Sequence, residues 1–295
     1  MRADFWGVKL KAMPECTPQS ALEAFREAQQ LQRPLVLRRF AADWPAMAWT
    51  WSELKHAVGN RTVGVRGSAF ANGQSTTFFP KPIKQMPLSA YFAQLERDEA
   101  SSERLFAFNL RAKAPGLPHR NAQRFKQIGC RVADVPAYFF GARGSETRIH
   151  FDFDWVDLLL THFLGQKRVL LFAQDQSENL YQIPGTVHSA VDFGNLDAVG
   201  SRFERLQQLV GYEVLLNPGD TLYIPKGYWH HITYISGSFS VTYRILPRSW
   251  SDALRTAHTL LTGTLDILIN KLPGVAQFQA KRRSAEFKKR YGFPL

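Results

Sequence analysis

From residue 137 onward the chain reads as short strands at 137–142, 146–153, 157–164, 167–172, 212–217, 221–224, 229–235 and 238–245, divided by turns. A strand–helix alternation, and the parallel sheet it would build, is excluded by that pattern. The pattern predicts a mainly β chain, an antiparallel double-stranded barrel with helices confined to its flanks. The one long gap, 173–210, is an insertion between strands, with a short helix expected near 201–209.

Two stretches within this run carry chemistry. The first is Thr147-Arg148-Ile149-His150-Phe151-Asp152. Side chains alternate along a strand, so His150 and Asp152 point one way and Phe151 the other. An imidazole beside a carboxylate is half of a metal site, and a second His from a distant strand would complete a 2-His-1-carboxylate set with open coordination positions. The second stretch runs from Gly219 to His230 and spells Gly-x5-Pro-x-Gly-x2-His through Pro225 and Gly227. Turns at 218–220 and 225–227 enclose a strand at 221–224, and His230 begins the next strand. His231 is the rival ligand, but neighbours in a strand face opposite ways, so only one of the two can point inward. His162 is expected to be a core histidine.

These two stretches resemble the paired motifs of the cupin barrels. The chain as a whole is similar to the JmjC-type cupin oxygenases, in the group of the hypoxia-inducible-factor asparaginyl hydroxylase and the wybutosine-tRNA hydroxylase. The resemblance spans roughly residues 34–246. It implies a double-stranded β-helix (jelly-roll, cupin) barrel with N-terminal and C-terminal helices. The cofactors it implies are Fe(II) and 2-oxoglutarate, and the activity is hydroxylation of a C–H bond. The cupin spacing selects His230 as distal ligand, so His150, Asp152 and His230 are the metal-ligand and catalytic residues carried over. Lys167 begins the strand after the turn Gly165-Gln166 and shares a face with Val169 and Leu171. An inward Lys demands an anion, and Lys167 matches the family position that grips the far carboxylate of 2-oxoglutarate. Thr147 matches its hydroxyl donor, and Thr242 falls where the family has an Asn lining the cofactor, a departure. Departures occur at Phe106, where a Tyr is usual, and at Leu158, where an Asn is usual; Asp157 could substitute there through a one-residue bulge. Arg143, Asp154 and Trp155, beside the metal strand, are candidate substrate contacts. The family's layout makes the 173–210 insertion a shaper of substrate entry. A cupin using its metal for isomerisation or hydrolysis, and a non-catalytic binding module, are the alternative readings; Lys167 and Thr147 favour the oxygenase.

Outside the barrel the sequence is plainer. A helix is expected from Thr17-Pro18 to about residue 31, with Thr17 as N-cap. A strand follows at 34–40, a helix at 52–58, a strand at 62–66, a helix capped by Ser89 to about residue 97, and a strand at 104–110. Residues 71–87 read as a long irregular segment suited to cover the site mouth. Trp44, Trp49 and Trp51 are expected to pack between the N-terminal helix and the barrel. Residues 250–272 and 275–290 read as two helices, the first with an apolar stripe at Leu254, Ala257, Leu261, Leu265 and Leu268. The division expected is a catalytic domain over 1–249 and a C-terminal helical segment over 250–295, the latter pairing two subunits into a homodimer. The formal charge is +12, which suits an acidic protein, a tRNA or a small acidic molecule as substrate or partner. No apolar run is long enough to span a membrane, no signal peptide is apparent, and Cys16 and Cys130 form no disulfide framework. A cytoplasmic location is the expectation.

Overall fold

The computed structural model describes residues 7–67, 82–113, 122–247, 250–251, 253–254, 256–259, 261 and 274–295. Fourteen strands are present among them: β1 (Lys9–Ala12), β2 (Glu15–Cys16), β3 (Leu35–Leu37), β4 (Thr62–Val65), β5 (Lys84–Pro87), β6 (Arg104–Phe108), β7 (Ala137–Gly141), β8 (Glu146–His150), β9 (Leu158–Leu164), β10 (Lys167–Phe172), β11 (Val210–Leu216), β12 (Thr221–Ile224), β13 (Trp229–Tyr234) and β14 (Ser238–Arg244). Two sheets face each other, one ordered β1-β11-β10-β13-β8 and the other β2-β3-β12-β9-β14-β7-β6. Strands β7 to β14 alternate between the sheets except at β10 and β11, which pair with each other within one sheet, and their eight positions follow the eight strands read from the sequence.

Period-2 alternation explains how the layers form. On β9, Leu158 and Leu160 enter the space between the sheets, packed with Val169, Leu171, Leu222 and Ile232. Leu159 and Phe163 point outward, into a core shared with three helices, α1 (Ala21–Gln30), α2 (Trp51–Val58) and α3 (Leu88–Glu96). On β10, Leu170 and Phe172 point outward on the other side, under the 173–210 insertion and the C-terminal helix Val275–Tyr291. Four layers result: helices, sheet, sheet, and an outer layer made by the insertion with the chain's last helix. Trp44 and Trp49 sit in the first of these interfaces, against Phe125 (5.1 Å between rings) and Phe239 (5.8 Å).

Several boundaries differ from the sequence reading, each for a local reason. Thr17 precedes a short 3-10 turn, Pro18–Ser20, and makes no side-chain cap; α1 starts at Ala21. The strand expected at 34–40 stops at Leu37, because the Asp220 carboxylate accepts from Arg38 Nη1 (2.7 Å) and the Arg39 amide (3.0 Å), and Arg39 turns to φ +53°. Helix α2 is closed by a capping box between Thr50 and Glu53. Ser89 lies inside α3, which begins at Leu88 after Pro87, and its hydroxyl meets Asn60 instead. Residues 84–87, expected to be irregular, pair as β5 with β4. The helix expected near 201–209 is a series of 3-10 turns. Strand β1, parallel to β11, was not expected. In the region 250–272, residues 250, 251, 253, 254, 256–259 and 261 are helical, and Leu265 and Leu268 lie outside the described residues.

Candidate active site

The metal-binding geometry starts at the pairing of β8 with β13. His150 and His230 face each other across the ladder, with ring centroids 4.2 Å apart. The His150 Nδ1–H donates to the Arg148 carbonyl (2.8 Å) and the His230 Nδ1–H to the Tyr228 carbonyl (3.2 Å). Both rings are thereby fixed in the tautomer that presents Nε2 inward, the usual way a backbone carbonyl orients a ligating imidazole. Asp152 follows β8 and sets Oδ1 3.6 Å from His150 Nε2. One ligand atom from each of His150, Asp152 and His230 lies within 4.8 Å of the others, close enough to share one ion. Burial works against ionisation of Asp152, but the His150 hydrogen bond, His230 and Arg244 hold its carboxyl well below the usual carboxylate range. Burial and the neighbouring His150 push His230 down to about 4, so it is a neutral ligand at physiological pH.

His231 faces the other way. Its Nε2 lies 3.2 Å from Glu146 Oε2 and its ring packs against Phe193 of the insertion. The choice between adjacent histidines thus follows strand parity. His162 is fully buried, and its Nε2–H donates to the Gly165 carbonyl (2.8 Å).

Strand β8 has an irregularity that matters. His230 pairs with His150 but Ile232 pairs with Thr147, so β8 carries one extra residue between these points. Without it, residues three apart would face opposite sides. With it, Thr147 and His150 both turn into the barrel. Farther inside, Lys167 is 1% exposed. Its Nζ donates to Ser240 Oγ and rests 4.3 Å from the Tyr234 ring centroid. Gly165 (φ +72°) makes the turn that delivers Lys167; a Cβ there would meet the Gly237 carbonyl at 2.2 Å. Thr242 lies on the same inner face of β14 as Ser240 and is buried. Burial and the charge of Arg104 hold the Lys167 ammonium well below its usual range.

The remaining predicted residues are dispersed. Asp157 is turned away from Lys167. Its carboxylate accepts from the Tyr223 hydroxyl (3.1 Å) and the Lys226 amide (2.9 Å), and no bulge brings it inward. With Trp155, Gln32, Lys226 and Thr256 it lines a separate cleft. Trp155 reaches that cleft in a left-handed backbone conformation, φ +55°. Asp154 is buried and ion-paired with Arg244, beside Asp152. Arg143 sits in the β7–β8 turn, at the end of β8 away from His150, paired with Asp98 (3.2 Å). Phe106 is in β6.

Two contributors were not foreseen. His188, from the insertion, bridges His150 across an isolated ladder pair, its ring 6.0 Å from that of His150. Nothing local in the sequence marks it, because the insertion reaches the site only through tertiary packing. Arg104 donates to Thr147 Oγ1 at 2.7 Å, a contact between strands far apart in sequence that no local pattern marks.

Two facing sheets that bring two imidazoles and one carboxylate close enough to share an ion are the arrangement of a cupin-class barrel. The sequence model of the cupin-like domain family matches residues 21–245, and the chain belongs to that family, in its JmjC-type branch. Similar proteins include JmjC domain-containing protein 5 of Drosophila melanogaster, 26% identical over 236 residues (76% of this chain, 57% of that protein). Lysine-specific demethylase 8 of Xenopus tropicalis is 24% identical over 246 residues (76% and 50%). HSPB1-associated protein 1 homolog of Danio rerio is 23% identical over 272 residues (86% and 60%). The chain spans about half the length of the curated relatives it matches. JmjC-type enzymes use Fe(II) and 2-oxoglutarate, and the donors present suit both: two imidazole nitrogens and one carboxylate for the metal, and a buried cation with hydroxyls for a distal carboxylate.

Proposed function

We propose that this chain is an Fe(II)- and 2-oxoglutarate-dependent oxygenase that hydroxylates a C–H bond. The observation that carries the reading is the shared inner face. The convergence of His150, Asp152 and His230 opens toward a buried Lys167 that, among the described residues, has no carboxylate within salt-bridge distance. A metal site serving hydrolysis or isomerisation has no use for that lysine, and a binding module has no use for open metal positions.

The chain's residues have separable tasks. His150 and His230 would offer Nε2, and Asp152 an ionised carboxylate, to a bound Fe(II), a ligand set that leaves coordination positions open for reactants. Lys167 and Thr147 hold the far carboxylate of 2-oxoglutarate, and Thr242 lines its chain. Val169, Leu171 and Ile232 keep water from the space between. The bound metal supplies O2 activation coupled to decarboxylation of 2-oxoglutarate to succinate. His188 and the Asp154–Arg244 pair flank the ligands and are placed to meet a substrate. That substrate is a protein side chain, a tRNA base or a small molecule. The printed name of the Xenopus relative makes an N-methyl lysine peptide one substrate to try, since removal of an N-methyl group also starts with hydroxylation of its carbon.

Succinate formation from 2-oxoglutarate, dependent on Fe(II) and O2, is the decisive assay. Wild-type protein is expected to release succinate slowly without substrate. Asp152→Ala, which removes both charge and ligand, is expected to bring the rate to background while the barrel stays folded. Full succinate production by Asp152→Ala, or none by the iron-loaded wild type with any substrate class, would overturn the proposal.

A further inference from the structure

The last helix, Val275–Tyr291, has two unlike sides. On one, Phe287 is fully buried, and Tyr291 packs on Tyr181 and donates its hydroxyl to the Gln182 carbonyl (3.3 Å). Those contacts seat the helix on the 173–210 insertion, the segment that brings the His188 ring 6.0 Å from that of His150. The other side faces solvent. At 3.6 residues per turn, Lys281, Arg282, Ala285, Lys288 and Lys289 gather on it, away from Phe287. All five are exposed.

Among the described residues the four cations make no ion pair or side-chain hydrogen bond, whereas Arg290 beside them is paired with Glu178 (2.8 Å). A solvated helix commonly mixes the two signs along its face, but the only acid in this one is Glu286. The helix dipole accounts for part of the pattern, since it favours cations in the last turn, where Lys288, Lys289 and Arg290 lie. It does not reach Lys281 and Arg282, about two turns earlier.

The side chains argue against two kinds of anionic partner and for a third. A bilayer takes up the apolar face of a helix, and here that face, Phe287 and Tyr291, is already packed on the insertion. An acidic protein needs an apolar anchor amid the charges. Past Phe278, near the start of the helix, the exposed side offers none. A phosphate backbone needs only a row of cations. From Lys281 to Lys289 the helix rises about 12 Å, over which one strand of a duplex presents about three phosphates, ~3.4 Å apart along its axis. The formal charge of +12 favours the same partner.

We propose that the outer side of the last helix, through Lys281, Arg282, Lys288 and Lys289, docks the phosphate backbone of a nucleic acid. A strand bound there lies beside the insertion that reaches the metal ligands. Docking needs no metal, so it stands or falls apart from the oxygenase reading.

The test is fluorescence anisotropy on the whole chain, with labelled single-stranded RNA and DNA of about 20 nucleotides, longer than the ~4–16 that one binding module covers. One variant combines Lys281→Gln, Arg282→Gln, Lys288→Gln and Lys289→Gln, and Gln preserves the helix. A comparison variant removes the same charge around α1, in the opposite outer layer, by Arg26→Gln, Arg39→Gln, Lys126→Gln and Arg131→Gln, all at exposed positions. The helix variant is expected to bind RNA at least about tenfold more weakly. Its slope of log affinity against log salt is expected to be shallower by about 3, at ~0.7 per lost phosphate contact. The comparison variant is expected to stay within about twofold, because charges so far from the docked strand are screened at ~0.1 M salt. Equal losses in the two variants would mean that net charge alone attracts the strand, and would overturn the proposal. So would a poly-glutamate peptide bound as tightly as RNA, or a wild type that binds neither nucleic acid. Whichever of RNA and DNA binds more tightly identifies the source of the phosphates and upholds the docking face. Should the fourfold variant not fold, Lys288→Gln with Lys289→Gln is expected to give about half the change in slope. An unchanged slope in that pair would overturn the proposal.

Discussion

Histidine 162 shows how strongly the barrel interior treats a single side chain. It is fully buried, with Nε2 bound to the Gly165 carbonyl and Nδ1 without a hydrogen-bond partner among the described residues. Burial, helped by the charge of Lys167, pushes its pKa down from 6.5 to about 3. In the unfolded chain the imidazole takes up a proton below about pH 6.5, and in the fold only below about 3. Unfolding therefore absorbs a proton throughout that window, and stability is lost as the pH falls through it. The loss from this residue alone is on the order of 4 kcal/mol at the bottom of the window. Calorimetric melting of the metal-free protein is expected to show Tm falling steadily from pH 7 to pH 4. His162→Gln, which keeps a donor for Gly165 and cannot be protonated, is expected to flatten that slope. An equally steep fall in the variant would place the acid sensitivity elsewhere. Metal binding is the second residue-scale expectation. Asp152→Ala is expected to lose Mn(II) binding by at least tenfold in a titration followed by electron paramagnetic resonance.

At the scale of elements, the outer layer ties the insertion to the last helix. Phe287 is fully buried, 4.5 Å from the Tyr291 ring and 5.6 Å from Phe293, and Tyr291 meets Tyr181 of the insertion at 4.9 Å. The same insertion carries His188 to the metal ligands. Phe287→Ala is expected to cost about 3 kcal/mol by emptying this cluster, read as a shift in the urea midpoint. Hydrogen exchange is expected to rise first over 178–195. Unchanged exchange there would mean that the helix does not brace the insertion.

Elements were also where the sequence was most and least legible. Alternation on β10 placed Lys167 inward, and alternation on β13 separated His230 from His231, because both strands are regular. Thr147 was matched by resemblance, but its inward direction depends on the extra residue in β8, which no period-2 pattern displays. Asp157 failed for the converse reason: the bulge imagined for it is absent, and the β9–β12 pairing is regular up to Leu158. His188 and Arg104 arrive through contacts distant in sequence, and their strengths lie in packing that a linear pattern does not encode.

For the whole molecule, the surface left by these layers raises the question of assembly. Trp250, Leu254 and Leu261 are helical and 87%, 69% and 61% exposed, and Phe278 on the last helix is 65% exposed. Isolated exposed apolar residues are ordinary, but four large ones on neighbouring stretches of helix suit an interface. We hold to a homodimer through residues 250–290, since two-fold pairing is the commonest closed assembly. Light scattering at micromolar concentration is expected to give twice the 33.6 kDa chain mass. Leu254→Asp with Leu261→Asp is expected to return it to one chain. A single-chain mass for the wild type would remove the dimer. No described helix is long and apolar enough to cross a membrane.

The extra residue in β8 also has a meaning for how this site tolerates change. A strand is a ruler with two alternating marks, and the bulge shifts its phase by one mark between Thr147 and His150. The hydroxyl end and the metal end are thus read in different phases of the same ruler. Shortening the strand by one residue between them would leave most of the barrel's hydrogen bonds available, yet rotate one end of the site to the outside. Arg148 and Ile149 are themselves buried, Arg148 on the Ser189 carbonyl and Ile149 in the core beneath the insertion, but it is the count of residues from 147 to 150 that keeps the two halves of the chemistry in register.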